Sequence, residues 1–337
     1  MPESDLIQQL DQAVDAMLRG ETAPRMGPEV TALVQIAGHV RALPDGDFRA
    51  SLKALFMDKA VKLSKALKEK DQMTTATATV NWIPKGFHTL TPYLHAPAEA
   101  KIMDFLRDAF GAVEKFRVPT KIGTIMHAQA QIGDSIVEVS EIPDDYVAPR
   151  ATSLRTYVQS VDETYRRALA AGATSLYEPV DQSYGDREAG IKDPAGNVWF
   201  IARPVRGDNY KHPGLQDVAP YFFPHGAAAF IEFLQKAFGA ETIGRHESPE
   251  GLLYHASLKI GDSIIGMGEA REQWPTMPGG IHYYIPNVDE VYERALAAGA
   301  KSLQAPVDQP YGDRYAGVID SQGNYWYLAT HIKDVEF

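Results

Sequence analysis

Between Lys101 and Gly111 the apolar residues fall at Ile102, Phe105, Leu106 and Phe110, one stripe at helical spacing. Gly111 then supplies a natural left-handed stop. Tyr165, Leu169 and Ala173 mark a second such stripe, with Gly172 at its end. Each helix follows a short apolar strand, "LTPYLHA" or "SLRTYVQ". After the first come three segments with strand character, "AVEKFRVP", "MHAQAQIG" and "SIVEVSE", the last two flanking the hairpin turn Gly133-Asp134. The pattern predicts a unit of strand, helix, strand, strand, strand.

The pattern then repeats. Tyr184-Gly185-Asp186-Arg187 recurs as Tyr311-Gly312-Asp313-Arg314, and "ALAAGA" at Ala168 recurs at Ala295. Ile132-Gly133-Asp134-Ser135 recurs as Ile260-Gly261-Asp262-Ser263 with one residue more of offset, so the copies differ by one residue between Ser135 and Ser153. The copies span 86–203 and 214–331, joined by the linker "PVRGDNYKHPG". Two units per copy give four units and an α+β chain. Outside the repeat, residues 1–75 read as a helical extension. "SDLIQQLDQAVDAMLRG" carries an apolar stripe of Ile7, Leu10, Val14 and Met17, and two further amphipathic stretches follow. Such helices suit dimerisation or docking.

Composition narrows the chemistry. The net charge of −11 speaks against a general nucleic-acid binder, which needs a basic surface. The absence of cysteine removes disulfides, thiolate metal sites and cysteine nucleophiles. No leader and no membrane-length apolar run stands out, so a cytoplasmic protein is expected. There is no nucleotide-binding glycine loop and no serine-nucleophile motif.

Several spaced motifs agree twice: "FLRDAFGA" and "FLQKAFGA", "HA-x-x-x-IGDS", "VDE-x-Y-x-RALAAGA", "YGDR-x-AG" and "D-x-x-GN-x-W". Over residues 86–331 this resembles the vicinal oxygen chelate (VOC) superfamily of glyoxalase I, extradiol dioxygenases and bleomycin-resistance proteins, and within it the PhnB-like branch. The resemblance implies paired units wrapped into cup-shaped sheets, two cups in the chain, and the two copies as an internal pseudo-dimer. "YGDR" is then expected to be scaffold, a turn with a local Asp–Arg pair.

Chelating relatives place a His or Gln on the first strand of each unit and a Glu on the last. Taken copy by copy, the first copy offers His88, with His95 further on, then Glu138, Arg155 and Phe200. The second offers no first-strand histidine, Gly266 with Glu269 after it, then His282 and Tyr327. Neither copy alone holds a full set. The expectation is a cup that binds a small organic ligand without a bound metal, in a sequestration, resistance or ligand-responsive role. The alternative is a metal-dependent lyase, isomerase or dioxygenase-like enzyme with a divalent ion (Zn, Ni, Mn or Fe) at His88 and Glu138. A third reading makes one copy a degenerate scaffold for the other.

Other residues have chemistry of their own. His127 and His255 hold equivalent places, and two readings stand for them: donors or general bases in the cup, or residues that cap the strand or bond a neighbouring backbone carbonyl. Arg155 and His282 are equivalent but chemically different, an Arg favouring an anionic group. Tyr157 and Tyr284 share their strand faces, and Phe200 and Tyr327 lie on one face of the final strands, suited to stacking a planar ligand. The loops Tyr146 to Arg150 and Trp274 to Gly280 read as lids or connectors.

Overall fold

The structure is a computed structural model that describes residues 80–143, 148–149 and 151–335. The helical extension expected over 1–75, and Tyr146 and Arg150 in the first loop, lie outside the described residues.

Four units follow one another. The first is β1 (Leu90–Ala96), α1 (Ile102–Phe110), β2 (Val113–Pro119), β3 (Ile125–Ile132) and β4 (Ser135–Glu141). The second is β5 (Ser153–Tyr157), α2 (Val161–Ala170), β6 (Thr174–Asp181), β7 (Asp186–Lys192) and β8 (Val198–Pro204). The third is β9 (Val218–Phe222), α3 (Ala227–Phe238), β10 (Glu241–Glu247), β11 (Leu253–Ile260) and β12 (Ser263–Met267). The fourth is β13 (Gly280–Tyr284), α4 (Val288–Ala297), β14 (Lys301–Asp308), β15 (Asp313–Ile319) and β16 (Tyr325–His331). The helices end as their sequences predict: Gly111 and Gly239 take φ of 70° and 69° after α1 and α3. Ser160 and Asn287 cap α2 and α4 by accepting from the N–H groups of Glu163 and Glu290.

The strands form two eight-stranded sheets, and their order overturns one expectation. Sheet one runs β14-β15-β16-β13-β1-β4-β3-β2, and sheet two runs β10-β11-β12-β9-β5-β8-β7-β6. Sheet one therefore joins the first unit to the fourth, and sheet two joins the second to the third. The seams are antiparallel, with Thr91 opposite His282 in one and Arg155 opposite Ala219 in the other. No sheet belongs to one copy, so the copy-by-copy search for ligands combined positions that sit in different sheets.

The hydrophobic cores obey the opposite rule. One core packs α1 and α2 against β1, β4, β5 and β8 through Leu94, Leu106, Leu154, Tyr165, Trp199 and Ile201, all from the first copy. The other packs α3 and α4 in the same way, with Phe230, Leu234 and Trp326 at its centre. Each copy thus has its own core, while each sheet is shared. The "D-x-x-GN-x-W" motif serves these cores. Asp193 accepts from the backbone of Ala195 and Asn197, from Asn197 Nδ2 and from Trp199 Nε1, each at 2.9 Å. Asp320 repeats the arrangement around Trp326. A hairpin turn and a buried indole are fixed by one carboxylate, which leaves no donor unpaired.

The "IGDS" hairpin turns clasp the other copy. Asp134 N–H donates to Asp217 Oδ2 at 2.8 Å, Asp217 N–H returns a bond to Asp134 Oδ1, and Val218 N–H donates to Ser135. In mirror fashion Thr89 N–H donates to Asp262 and Leu90 N–H to Ser263. His88 sits between the two turns, with Nδ1 2.9 Å from Asp262 and Nε2 3.2 Å from the carbonyl of Asp134. Hydrogen bonds to Asp134 and Asp262 raise the His88 imidazole from 6.5 to about 10, and His88 helps to hold both aspartates well below the usual carboxylate range. A raised histidine stabilises most below its ordinary value and loses that contribution as pH rises through the folded one. Wild-type stability is therefore expected to fall between pH 6.5 and 10 with a slope that His88→Ala flattens, as read from melting temperatures across that range. An unchanged slope in the variant would remove His88 from the clasp's electrostatics.

Candidate functional site

Strand alternation sorts each sheet into a face packed on its helices and an inner face. On sheet one, Leu94, Val137 and Val139 point to the core, so Tyr93, His95, Glu138 and Ser140 point inward. The register places Tyr93 beside Glu138 on β1 and β4, and His282 beside Tyr327 on β13 and β16. These positions lie on the first and last strands of the first and fourth units, and both copies supply them. On sheet two the same positions hold Tyr221 beside Gly266, and Arg155 beside Phe200.

On sheet one the four side chains belong to a buried polar network. Glu138 is 1% exposed, and its Oε2 lies 2.9 Å from Nδ1 of His282. Burial alone would push both groups toward neutrality. The attraction of His282, with smaller help from His127 and His95, instead keeps the Glu138 carboxyl below its usual value. The charge and hydrogen bond of Glu138 keep His282 above its own. Each group thus favours the charged form of the other, across 144 residues of sequence. Nε2 of His282 is buried and has no hydrogen-bond partner.

Histidines and tyrosines surround the pair. His127 has Nδ1 3.0 Å from the Tyr93 hydroxyl, and its Nε2 is 3.8 Å from Glu138. His95 reaches Ser140 at 2.6 Å and the Tyr327 hydroxyl at 2.8 Å. Burial lowers both imidazoles, His95 to about 4, so both are neutral near pH 7. Tyr93 and Tyr327 meet edge to face with centroids 5.3 Å apart, Tyr315 stacks on Tyr327, and Tyr284 stacks on His282 at 4.4 Å. Asp313 hydrogen bonds Tyr284 from one side and His331, at 2.7 Å, from the other.

The inner face of sheet two is filled by its own side chains. Arg155 is paired with Asp186 at 2.8 Å and with Glu188 at 2.9 Å, and lies over the rings of Tyr157 and Tyr184. Trp274 stacks on Phe223 at 5.6 Å and meets Phe200 at 5.2 Å and Tyr177 at 6.3 Å. Gly266 cannot be exchanged for a larger residue without movement, because a Cβ there would lie 2.6 Å from the Tyr221 ring.

The structure thus brings Glu138, His282, His127, Tyr284 and Tyr327 to one face, and Arg155, His255, Tyr157 and Phe200 to the other. His255 bonds the side-chain hydroxyls of Tyr221 and Ser257 rather than a backbone carbonyl. His88 is not with Glu138: it precedes β1 and its ring is engaged in the clasp. Glu269 does not replace Glu138 either, since its carboxylate caps α3 through the N–H groups of Gly226 and Ala227. Within "YGDR" the adjacent Asp and Arg do not pair, but each Arg binds an Asp across its own hairpin turn, Arg187 with Asp181 at 2.9 Å and Arg314 with Asp308 at 2.8 Å. Arg187 and Arg314 bind Asp162 and Asp289 in the first turns of α2 and α4, while Asp186 and Asp313 face Arg155 and Tyr284. Asp313 and Tyr93 are site residues that pattern reading passed over, and His95 entered it only as an addition to His88. The signal for Tyr93 and His95 was their shared parity with the inner face.

A divalent ion fits these donors poorly. The four positions offer one carboxylate and one imidazole, already bonded to each other, and two phenols that burial keeps neutral or that bond to a histidine. Among the described residues no group of three or more His, Cys, Asp or Glu is arranged to hold a metal.

Tandem strand–helix–three-strand units sharing their sheets define a class of two-site, internally paired proteins. Sequence and structure comparisons place the chain within that class. The family model described as Glyoxalase/Bleomycin resistance protein/Dioxygenase superfamily matches residues 97–201 and again 223–328, and the chain belongs to that superfamily. Uncharacterised proteins of Mycobacterium tuberculosis H37Rv and Mycobacterium bovis are each 37% identical over 134 residues, covering 35% of this chain and 79% and 88% of those proteins. Glyoxalase I from Zea mays matches in fold with a TM-score of 0.52 at 15% identity, over 72% of this chain and 92% of the maize chain.

Proposed function

We propose that the protein is a PhnB-like member of its superfamily that binds a small organic molecule on the inner face of sheet one, without a chelated metal. One observation carries the reading. On sheet one the four positions hold the bonded pair Glu138 and His282 with Tyr93 and Tyr327, each bonded to a further histidine, whereas on sheet two Trp274 packs on Phe200 and Phe200 on Tyr221. Partly buried tyrosines beside a buried polar pair suit a ligand that stacks and accepts or donates one directed hydrogen bond. Sequestration, or a ligand-dependent signal through the N-terminal segment, would use that site, and a cytoplasmic location suits either role.

A thermal-shift screen of planar organic molecules on the full chain tests the reading. Stabilisation by a hit should disappear in Tyr327→Ala and persist in Trp274→Ala. The reverse pattern would move the site to sheet two. Stoichiometric Zn, Ni, Mn or Fe in protein purified without chelators would replace the reading with that of a metal-dependent enzyme.

A further inference from the structure

The two inner faces differ in charge. On sheet one, Glu138 is balanced by His282, and Asp313 is balanced by His331, which Asp313 and Asp334 hold above its usual value against burial. His95 and His127 are neutral, and the remaining side chains around the pair are phenols, a serine and Gln129. At the centre of this face the two charges of the Glu138–His282 pair oppose each other, while Asp334 lies out in solvent. On sheet two, Arg155 meets two carboxylates, Asp186 and Glu188, and Asp186 also meets His212 at 2.7 Å. An anion on sheet one would lie against Glu138 and a cation against His282, each within a buried setting that strengthens repulsion.

The same pair leaves one directed group. Its Nδ1 belongs to Glu138, so the charged ring of His282 has only Nε2–H to offer, and that atom is buried without an acceptor. An unpaired buried donor is costly, and an acceptor placed there would recover that cost. Tyr284, itself buried, stacks under the ring, and the partly exposed Tyr327 and Tyr93 beside it offer aromatic surface.

We infer that the ligand of sheet one is an uncharged, planar molecule whose carbonyl-type oxygen accepts from Nε2–H of His282, with Glu138 fixing the donor's charge. The inference rests on the ligand-binding reading above and names the class of molecule for that site.

Benzamide, benzoate and benzamidinium share one shape and differ in charge, so they separate the cases. Each is titrated into full-length protein carrying 15N-labelled histidine side chains and followed by NMR. Benzamide should shift the His282 Nε2 resonance and bind at least about 10-fold more tightly than either ion. Glu138→Gln, which keeps the shape and removes the charge, should weaken benzamide about 10-fold, the difference between a charge-assisted and a neutral hydrogen bond. Benzoate or benzamidinium binding sheet one as tightly as benzamide would overturn the class while leaving the site standing, as would benzamide binding that moves the His95 and His127 signals but not His282. If none of the three perturbs any residue of sheet one, while the thermal-shift screen also yields no hit sensitive to Tyr327→Ala, the site itself falls.

Discussion

Glu138→Gln should destabilise the protein by about 2–3 kcal/mol at pH 7 and reverse the way its stability responds to acid. Removing one partner of a buried ion pair costs about 3–5 kcal/mol when the other must stay charged. His282 has an escape, because it can release its proton near neutral pH, so the lower figure applies there. The pH dependence follows from the directions of the shifts. In the wild type His282 is held above its ordinary value of 6.5, so its contribution grows as pH falls toward 6.5. Glu138 is held below its ordinary value of 4.5, so its contribution persists until pH drops through that range. In the variant burial opposes only the weaker attraction of Asp313, His282 is expected to fall below 6.5, and acid then favours the unfolded chain. Urea unfolding at a series of pH values from 5 to 8 reads both slopes, and NMR titration of His282 gives the cause directly. A His282 titration unchanged by Glu138→Gln would show that the two groups do not share a proton equilibrium. Glu138→Gln combined with His282→Phe should recover part of the loss, since no buried ring then needs a partner.

Gly133→Ala should cost about 2–3 kcal/mol more than Gly111→Ala, although both glycines have positive φ. Their backbone angles are 57° and 70°, a conformation in which any Cβ costs about 1–2 kcal/mol. At Gly111 a Cβ would meet nothing within 4 Å, so the backbone term is the whole effect. At Gly133 it would lie 1.7 Å from Oδ2 of Asp217, a side chain that is itself buried. Asp217 must move, and the Asp134 N–H bond and its share of the clasp go with it. The difference between the variants, measured by urea unfolding, therefore isolates the joint between the copies. Equal losses would mean that the clasp contributes little. Gly261→Ala, where the close neighbour is Thr89 at 2.3 Å, is the matching test on the other turn.

Much of this was legible in the sequence, and the limit is instructive. The repeat, the unit order and the helix stops all follow from spacing and glycine chemistry, because these are local. Strand parity also placed Tyr284 with His282 and Phe200 in line with Arg155. Parity cannot say which sheet edge meets which. Pairing the first unit with the second or with the fourth leaves every residue on the same face of its strand, so only the seam between β1 and β13 distinguishes them. That one ambiguity separated Glu138 from His282 in the sequence reading and promoted His88, whose nearness to β1 is real but whose ring faces the joint. "YGDR" misled for a related reason. Adjacent residues on a strand face opposite ways, so a neighbouring Asp and Arg are the pair least able to meet.

Sharing each sheet between non-identical halves has a consequence for divergence. A dimer of identical chains must repeat every substitution at both of its sites, because symmetry allows no other outcome. Here the halves are covalently joined, so Glu138 can stand opposite a Gly266 counterpart, and His282 opposite Arg155, without either change appearing twice. One face can drift toward a packed interior that steadies the molecule while its twin keeps the groups needed for recognition. The fused chain is released from the symmetry that its architecture still displays.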